Sequence, residues 1–171
     1  PKDRFAAIAE AIVSQQLSPK AADTIFGRVA ALGSSGAFPT PEALLALPDE
    51  ALRGAGLSGA KTRAVRDLAE RVQGGALQLH RLDEMSDDEV IEALSAVRGI
   101  GRWTAEMVLM FQLGRKDVLP VGDLGIQKGF MALFNLREMP APETMVRLAK
   151  SWRPYRSIAC WYLWRVLDTK A

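Results

Sequence analysis

The stretch Leu94-Ser95-Ala96-Val97-Arg98-Gly99-Ile100-Gly101-Arg102-Trp103-Thr104-Ala105 decides how this chain is read. Two glycines bracket one apolar residue between two amphipathic runs. The pattern predicts a helix ending near Val97, a tight turn through Arg98-Gly99-Ile100-Gly101, and a helix starting at Arg102. Glycine supplies the backbone angles of such a hairpin and lets another backbone come close. Ile100 is placed to plug the core beneath the turn. The N–H groups of Gly101, Arg102 and Trp103 then point out of a helix N-terminus, which is an anion site by geometry and by dipole. Arg98 and Arg102 add positive charge beside it. Gly-x-Gly alone also describes any glycine turn between packed helices. The longer string, with Thr104-Ala105 and an apolar helix behind it, is much more specific.

The rest of the chain reads as helix in both directions, with alanine its commonest residue and no run of alternating β-branched residues. Phe5, Ile8, Ala9 and Ile12 share one helical stripe. Ser18-Pro19 opens a helix to about Leu32, and Thr40-Pro41 and Pro48-Asp49 open two short ones. A long helix of about Ala60 to Gln73 ends at Gly74-Gly75. Ser86-Asp87-Asp88-Glu89 is a capping box that starts the helix leading into the hairpin. Further helices begin at Asp123, Pro142 and Tyr155. The sum is an all-α globule of about ten short helices with short connections. Leu52-Arg53-Gly54-Ala55-Gly56-Leu57, followed by a basic helix, echoes the hairpin.

Composition bounds the function. The chain has 171 residues, 25% of them charged and 49% hydrophobic, values of a folded protein rather than a disordered one. Its one cysteine, Cys160, rules out an internal disulfide and any four-cysteine zinc or iron–sulfur site. An intracellular home is the expectation. No uncharged apolar run approaches the roughly 18 residues of a membrane span, so no membrane partner is expected. The start lacks both a signal pattern and an initiator methionine, which reads as a trimmed chain. The net charge of +2 hides an asymmetry: residues 1–97 carry −4 and residues 98–171 carry +6. A basic half suggests a face for a polyanion.

Four motifs in order make the chain recognisable. Val97 to Ala105 resembles the helix–hairpin–helix of the DNA glycosylase superfamily of that name. Val118-Leu119-Pro120-Val121-Gly122-Asp123-Leu124-Gly125 resembles that superfamily's Gly/Pro-rich loop and aspartate. Ile12-Val13-Ser14-Gln15-Gln16-Leu17-Ser18 resembles its Gln-containing helix end. Trp152-Arg153-Pro154-Tyr155-Arg156-Ser157, with Trp164, resembles the alkylbase branch, 3-methyladenine DNA glycosylase II. The likeness runs from about residue 5 to residue 168. It implies one glycosylase core over residues 1–171, in two helical lobes with a cleft between them, its end segments packed together and without the N-terminal β domain the branch often carries.

The resemblance also implies roles. Asp123 would be the catalytic carboxylate, although an aspartate at a helix start is also an ordinary N-cap. Breaking an N-glycosidic bond builds positive charge on the sugar, and a carboxylate near C1′ stabilises that charge and orients water. Alkylated purines already carry a positive ring and leave without a general acid. Trp103 stands where the superfamily's bifunctional members place a Schiff-base lysine, which implies a monofunctional enzyme that leaves an abasic site. Trp103, Met107 and Trp164 would line the base pocket, with indole faces for a flipped cationic base. The methionine replaces an aromatic found in the branch. Trp152 and Trp161 read as core.

Gln16 or Leu17 would fill the gap left by the flipped base, with Gln15 meeting the opposite strand or supporting the turn. Gly99, Gly101, Arg102 and Thr104 of the hairpin, and Arg156, would bind DNA. Arg147, Lys150, Arg153 and Arg156 recur every three residues, as on one helical face. Lys61, Arg63 and Arg66 are weaker candidates, and His80 reads as structural or exposed. No cofactor is required for the chemistry. The carbonyls of Ser95, Val97 and Ile100 would hold a monovalent cation, sodium or potassium. The implied partner is double-stranded DNA with damaged bases, bound by a monomer. The rival readings are a non-catalytic helix–hairpin–helix DNA-binding module and a glycosylase for other damaged or mismatched bases.

Overall fold

A computed structural model describes residues 3–168. Within that span the chain folds as ten α-helices: α1 (Arg4–Val13), α2 (Pro19–Ala30), α3 (Pro41–Ala46), α4 (Asp49–Gly54), α5 (Gly59–Gln73), α6 (Asp87–Ser95), α7 (Arg102–Phe111), α8 (Leu124–Phe134), α9 (Pro142–Leu148) and α10 (Arg156–Asp168). Two 3₁₀ turns, Leu79–Glu84 and Ala149–Trp152, complete the described elements, and no strand occurs among these residues.

Side-chain caps set most of the starts. Ser18, Thr40 and Ser58 each accept the backbone N–H three residues on, and proline follows the first two in α2 and α3. Ser86 and Glu89 form both halves of a capping box on α6. The turn before α5 repeats the hairpin's geometry. Gly56 has φ +115° and the next residue, Leu57, is buried, as Gly99 has φ +82° and Ile100 is buried.

The described chain divides into two compact units, residues 3–108 and residues 109–168, with the division inside α7. In the first unit α5 packs against α1, α3 and α4. Ile8, Ile12, Leu44, Leu52, Leu68, Leu82 and Leu94 are fully buried there. In the second unit α8 and α10 pack together around Ile126, Phe130, Met145, Cys160 and Leu163. Trp152 lies against Phe130 and Phe134, with centroids 5.3 and 6.0 Å apart, partly buried at the edge of this core. Trp161 differs: it is about half exposed, with the Arg165 guanidinium 4.7 Å over its ring.

One sequence expectation fails on backbone grounds. Arg147, Lys150, Arg153 and Arg156 do not share a helical face. The chain leaves α9 at Leu148, passes through the 3₁₀ turn and a cis Arg153–Pro154 bond, and only then enters α10.

Candidate active site

The hairpin lies wholly in the first unit. Val97 and Ile100 are buried beneath it, and the Ile100 N–H donates to the Val97 carbonyl at 3.1 Å to close the turn. Gly99 takes its left-handed φ where a Cβ would stand 3.0 Å from the Ala64 methyl on α5, so the turn and α5 are in near contact. Gly101 is open, with nothing within 4 Å of a Cβ built there, and its carbonyl accepts the Ala105 N–H. The Arg98 N–H donates to Asp67 at 2.7 Å. Burial raises the Asp67 pKa, but this bond and the Arg71 guanidinium outweigh it and hold the carboxyl below its ordinary value.

The Gln15 turn is fastened to the same hairpin. The Gln15 amide donates to the Gly99 carbonyl at 2.9 Å and to the Thr104 hydroxyl at 3.1 Å. Lys61 of α5 donates its ammonium to the Val13 carbonyl at 2.7 Å and the Gln15 carbonyl at 2.6 Å, and burial lowers its pKa. Between these ties Gln16 has φ +56°, a left-handed angle for a side chain that is not glycine, and Gln16 and Leu17 are both exposed.

The second unit holds Asp123 at the start of α8. Its N–H donates to the Pro120 carbonyl at 3.0 Å, and its own carbonyl accepts from Gln127 at 2.9 Å. The Gln127 side chain reaches back to the Val121 carbonyl at 2.9 Å, so the Pro120-Val121-Gly122 turn is braced from two sides. The carboxylate is half-buried. Its Oδ1 accepts the Ile126 N–H at 2.9 Å and the Trp164 indole N–H at 3.0 Å. The positive end of α8 favours a negative group at this place. A carboxylate so immobilised can stabilise a developing cation without reorganising.

Residues 9–154 match the family model described as HhH-GPD superfamily base excision DNA repair protein. The chain belongs to this superfamily. It is 36% identical to DNA-3-methyladenine glycosylase 1 of Schizosaccharomyces pombe over 165 residues, 96% of this chain and 72% of that protein. A putative DNA-3-methyladenine glycosylase of Bacillus subtilis is 36% identical over 92% of this chain, which spans only 56% of that protein. Among solved structures, a DNA-3-methyladenine glycosidase from Bacillus halodurans superposes with TM-score 0.86 at 44% identity, covering 96% of this chain and 76% of that one. The Schizosaccharomyces pombe 3-methyladenine DNA glycosylase in complex with abasic DNA superposes at 0.83 and 36% identity, covering 94% of this chain and 79% of that one.

The sequence candidates of this superfamily member fall into distinct settings. Trp103 is 44% exposed on the first turns of α7, and Met107 one turn on is half-buried. Arg102 is exposed and lies 3.7 Å from the buried Glu106 carboxylate. Thr104 is buried, and its hydroxyl oxygen accepts the Gln15 amide. Ser95, Val97 and Ile100 follow one another into the turn. Their carbonyls are neutral oxygen donors, the chemistry that suits a monovalent cation.

Arg156 is paired with an acid. Its Nε lies 2.8 Å from Asp117 Oδ1 and its Nη2 3.2 Å from Oδ2, and the side chain is only 15% exposed. A guanidinium forked onto a carboxylate inside the unit braces it and leaves fewer N–H groups for a phosphate. Arg66 is likewise held, by Asp49 and by the Leu45 and Leu47 carbonyls. Arg63 and His80 are exposed.

Sequence reasoning missed Asp67 and Asp117, and took Gly125 only as the end of the Gly/Pro-rich loop. The first two give no local signal, because their partners lie 31 and 39 residues away. Gly125 and Gly129, four apart on α8, are a readable signal for close helix packing.

Proposed function

We propose that this chain is a monofunctional DNA glycosylase that excises alkylated purines from double-stranded DNA and leaves an abasic site. The observation that carries this reading is the Asp123 carboxylate, fixed at the start of α8 by the Ile126 and Trp164 N–H groups. The named activity of relatives that match more than nine-tenths of the chain supports the reaction class.

In this mechanism the protein binds as a monomer. The target nucleotide leaves the stack, at a cost of a few kcal/mol, and Gln16 or Leu17 fills the gap. The left-handed backbone at Gln16 and the exposure of both side chains support that role. The hairpin N–H groups at Gly101, Arg102 and Trp103 take a phosphate oxygen. A sodium or potassium ion held by the carbonyls of Ser95, Val97 and Ile100 would add positive charge to that grip. As the glycosidic bond lengthens, its electron pair leaves with the already cationic purine. The sugar becomes oxocarbenium-like and Asp123 stabilises it; the water it directs forms the new bond to C1′ and gives up a proton to the carboxylate, while the purine leaves neutral. The exposed Trp103 face suits stacking with a cationic ring, a contact worth roughly 0.5–2 kcal/mol. With tryptophan in place of an amine at residue 103, no Schiff base forms.

The preferred substrate is 3-methyladenine, with 7-methylguanine as a second cationic candidate and hypoxanthine, whose neutral ring makes it a poorer leaving group here, as a slower one. The test is release of free base from duplexes carrying each lesion, with borohydride present in a parallel reaction. The reading predicts base release, alkali-labile abasic sites and no trapped adduct. Intact duplex or a covalent adduct contradicts it.

A further inference from the structure

We infer that Trp164 is a positioning residue for Asp123, and that glycine at residue 125 is what lets its indole reach the carboxylate. This rests on the reading of Asp123 as the catalytic group.

An N-cap aspartate is ordinarily held by one backbone N–H, which pins one oxygen and leaves the carboxylate free to swing about that bond. Here two donors from different elements converge on the same oxygen. The Ile126 N–H comes from α8 itself at 2.9 Å, and the Trp164 Nε1–H comes from α10 at 3.0 Å. Two non-parallel bonds to one oxygen fix its place far more tightly than either alone. The indole is in turn seated: its ring lies 5.8 Å from that of Phe111 and it packs against the core of the second unit.

Residue 125, having no side chain, leaves the indole its seat, and a methyl group there would push its neighbours by a few tenths of an ångström. A Cβ there would stand 3.1 Å from both Cδ1 and Nε1 of Trp164 and 3.2 Å from Oδ1 of Asp123. All three distances are tighter than ordinary contact, and all three fall on the two groups that form the bond. One turn on, a Cβ at residue 129 would stand 3.1 Å from the Leu163 Cβ. The two glycines thus admit the consecutive residues Leu163 and Trp164. The first of the pair packs the helices and the second aims a donor. Trp164 therefore acts through its N–H edge, on the carboxylate, rather than only through its face.

The test compares wild type with Trp164→Phe, which keeps an aromatic ring and deletes the donor, and with Gly125→Ala, which keeps the donor and displaces it. Single-turnover release of 3-methyladenine is measured alongside affinity for a duplex holding a stable abasic-site analogue. Both variants should lose about ten- to a hundred-fold in rate, the scale for a reacting group moved by a fraction of an ångström to an ångström. Affinity should stay within about two-fold. A Trp164→Phe rate within two-fold of wild type overturns the inference while leaving the proposed activity standing. A wild type that releases no base removes the activity itself.

A measurement independent of turnover uses protein labelled with ¹⁵N at tryptophan. Asp123→Asn should move the Trp164 indole N–H resonance more than those of Trp103, Trp152 and Trp161. An unmoved Trp164 resonance overturns the inference whatever the rates, and needs neither Trp164→Phe nor Gly125→Ala to fold.

Discussion

Gln15 and Gly99, 84 residues apart in sequence, are joined by a hydrogen bond of 2.9 Å from the Gln15 side-chain amide to the Gly99 carbonyl. The same amide reaches the Thr104 hydroxyl, so one side chain ties the exposed Gln16-Leu17 turn to both arms of the glycine hairpin.

Gln15→Ala removes both bonds and should cost about 1–2 kcal/mol of unfolding free energy, read from urea titration. Gln15→Glu should cost more, because it sets a carboxylate oxygen against the Gly99 carbonyl. Equal stability for Gln15→Glu and wild type would show that this tie carries no weight.

The two hairpin glycines should respond oppositely. Gly99→Ala forces a Cβ into a left-handed backbone and to 3.0 Å from Ala64, and should destabilise by about 1–3 kcal/mol. Gly101→Arg meets open space and should leave the thermal midpoint nearly unchanged, yet crowd the N–H groups that face the phosphate. Its affinity for duplex DNA at moderate salt should fall for every sequence tested. Unchanged affinity would remove the hairpin as the phosphate grip.

The local signals of this fold were plain in the sequence, because caps and apolar stripes act within one or two turns. Ser18, Thr40 and the Ser86–Glu89 box start helices where they stand in the chain. The turn at Leu79–Glu84 has no such cap and no stripe, and escaped notice. For the site, Asp123 and Trp164 were separately legible, but the bond between them spans 41 residues and no periodicity encodes it. The pairing of Arg156 was hidden for the same reason. A spacing of three reads as one face only while the helix continues, and the partner that claims this arginine, Asp117, lies 39 residues earlier.

The Asp117–Arg156 pair gives a pH prediction. The Arg156 hydrogen bond holds the Asp117 carboxyl below its ordinary value of 3.8. A carboxyl lowered on folding adds stability that is complete above its unfolded pKa and is lost as pH falls through the folded one. Asp117→Asn should therefore be less stable than wild type at pH 7, and the gap should close as the pH is taken below about 3.8. Urea titrations of both proteins at pH 7 and in that acid range measure it. A gap of equal size in both would contradict the charge-assisted bond.

On the proposed function, the Asp123 carboxylate drives the breaking of the glycosidic bond. Single-turnover release of 3-methyladenine from duplex DNA by wild type and by Asp123→Asn tests it most directly. Asparagine keeps an oxygen to accept from Ile126 and Trp164 while removing the charge, so the fold and the affinity for abasic DNA should be retained. Base release should be almost completely lost in the variant; release at the wild-type rate would mean that the carboxylate is not the catalytic group.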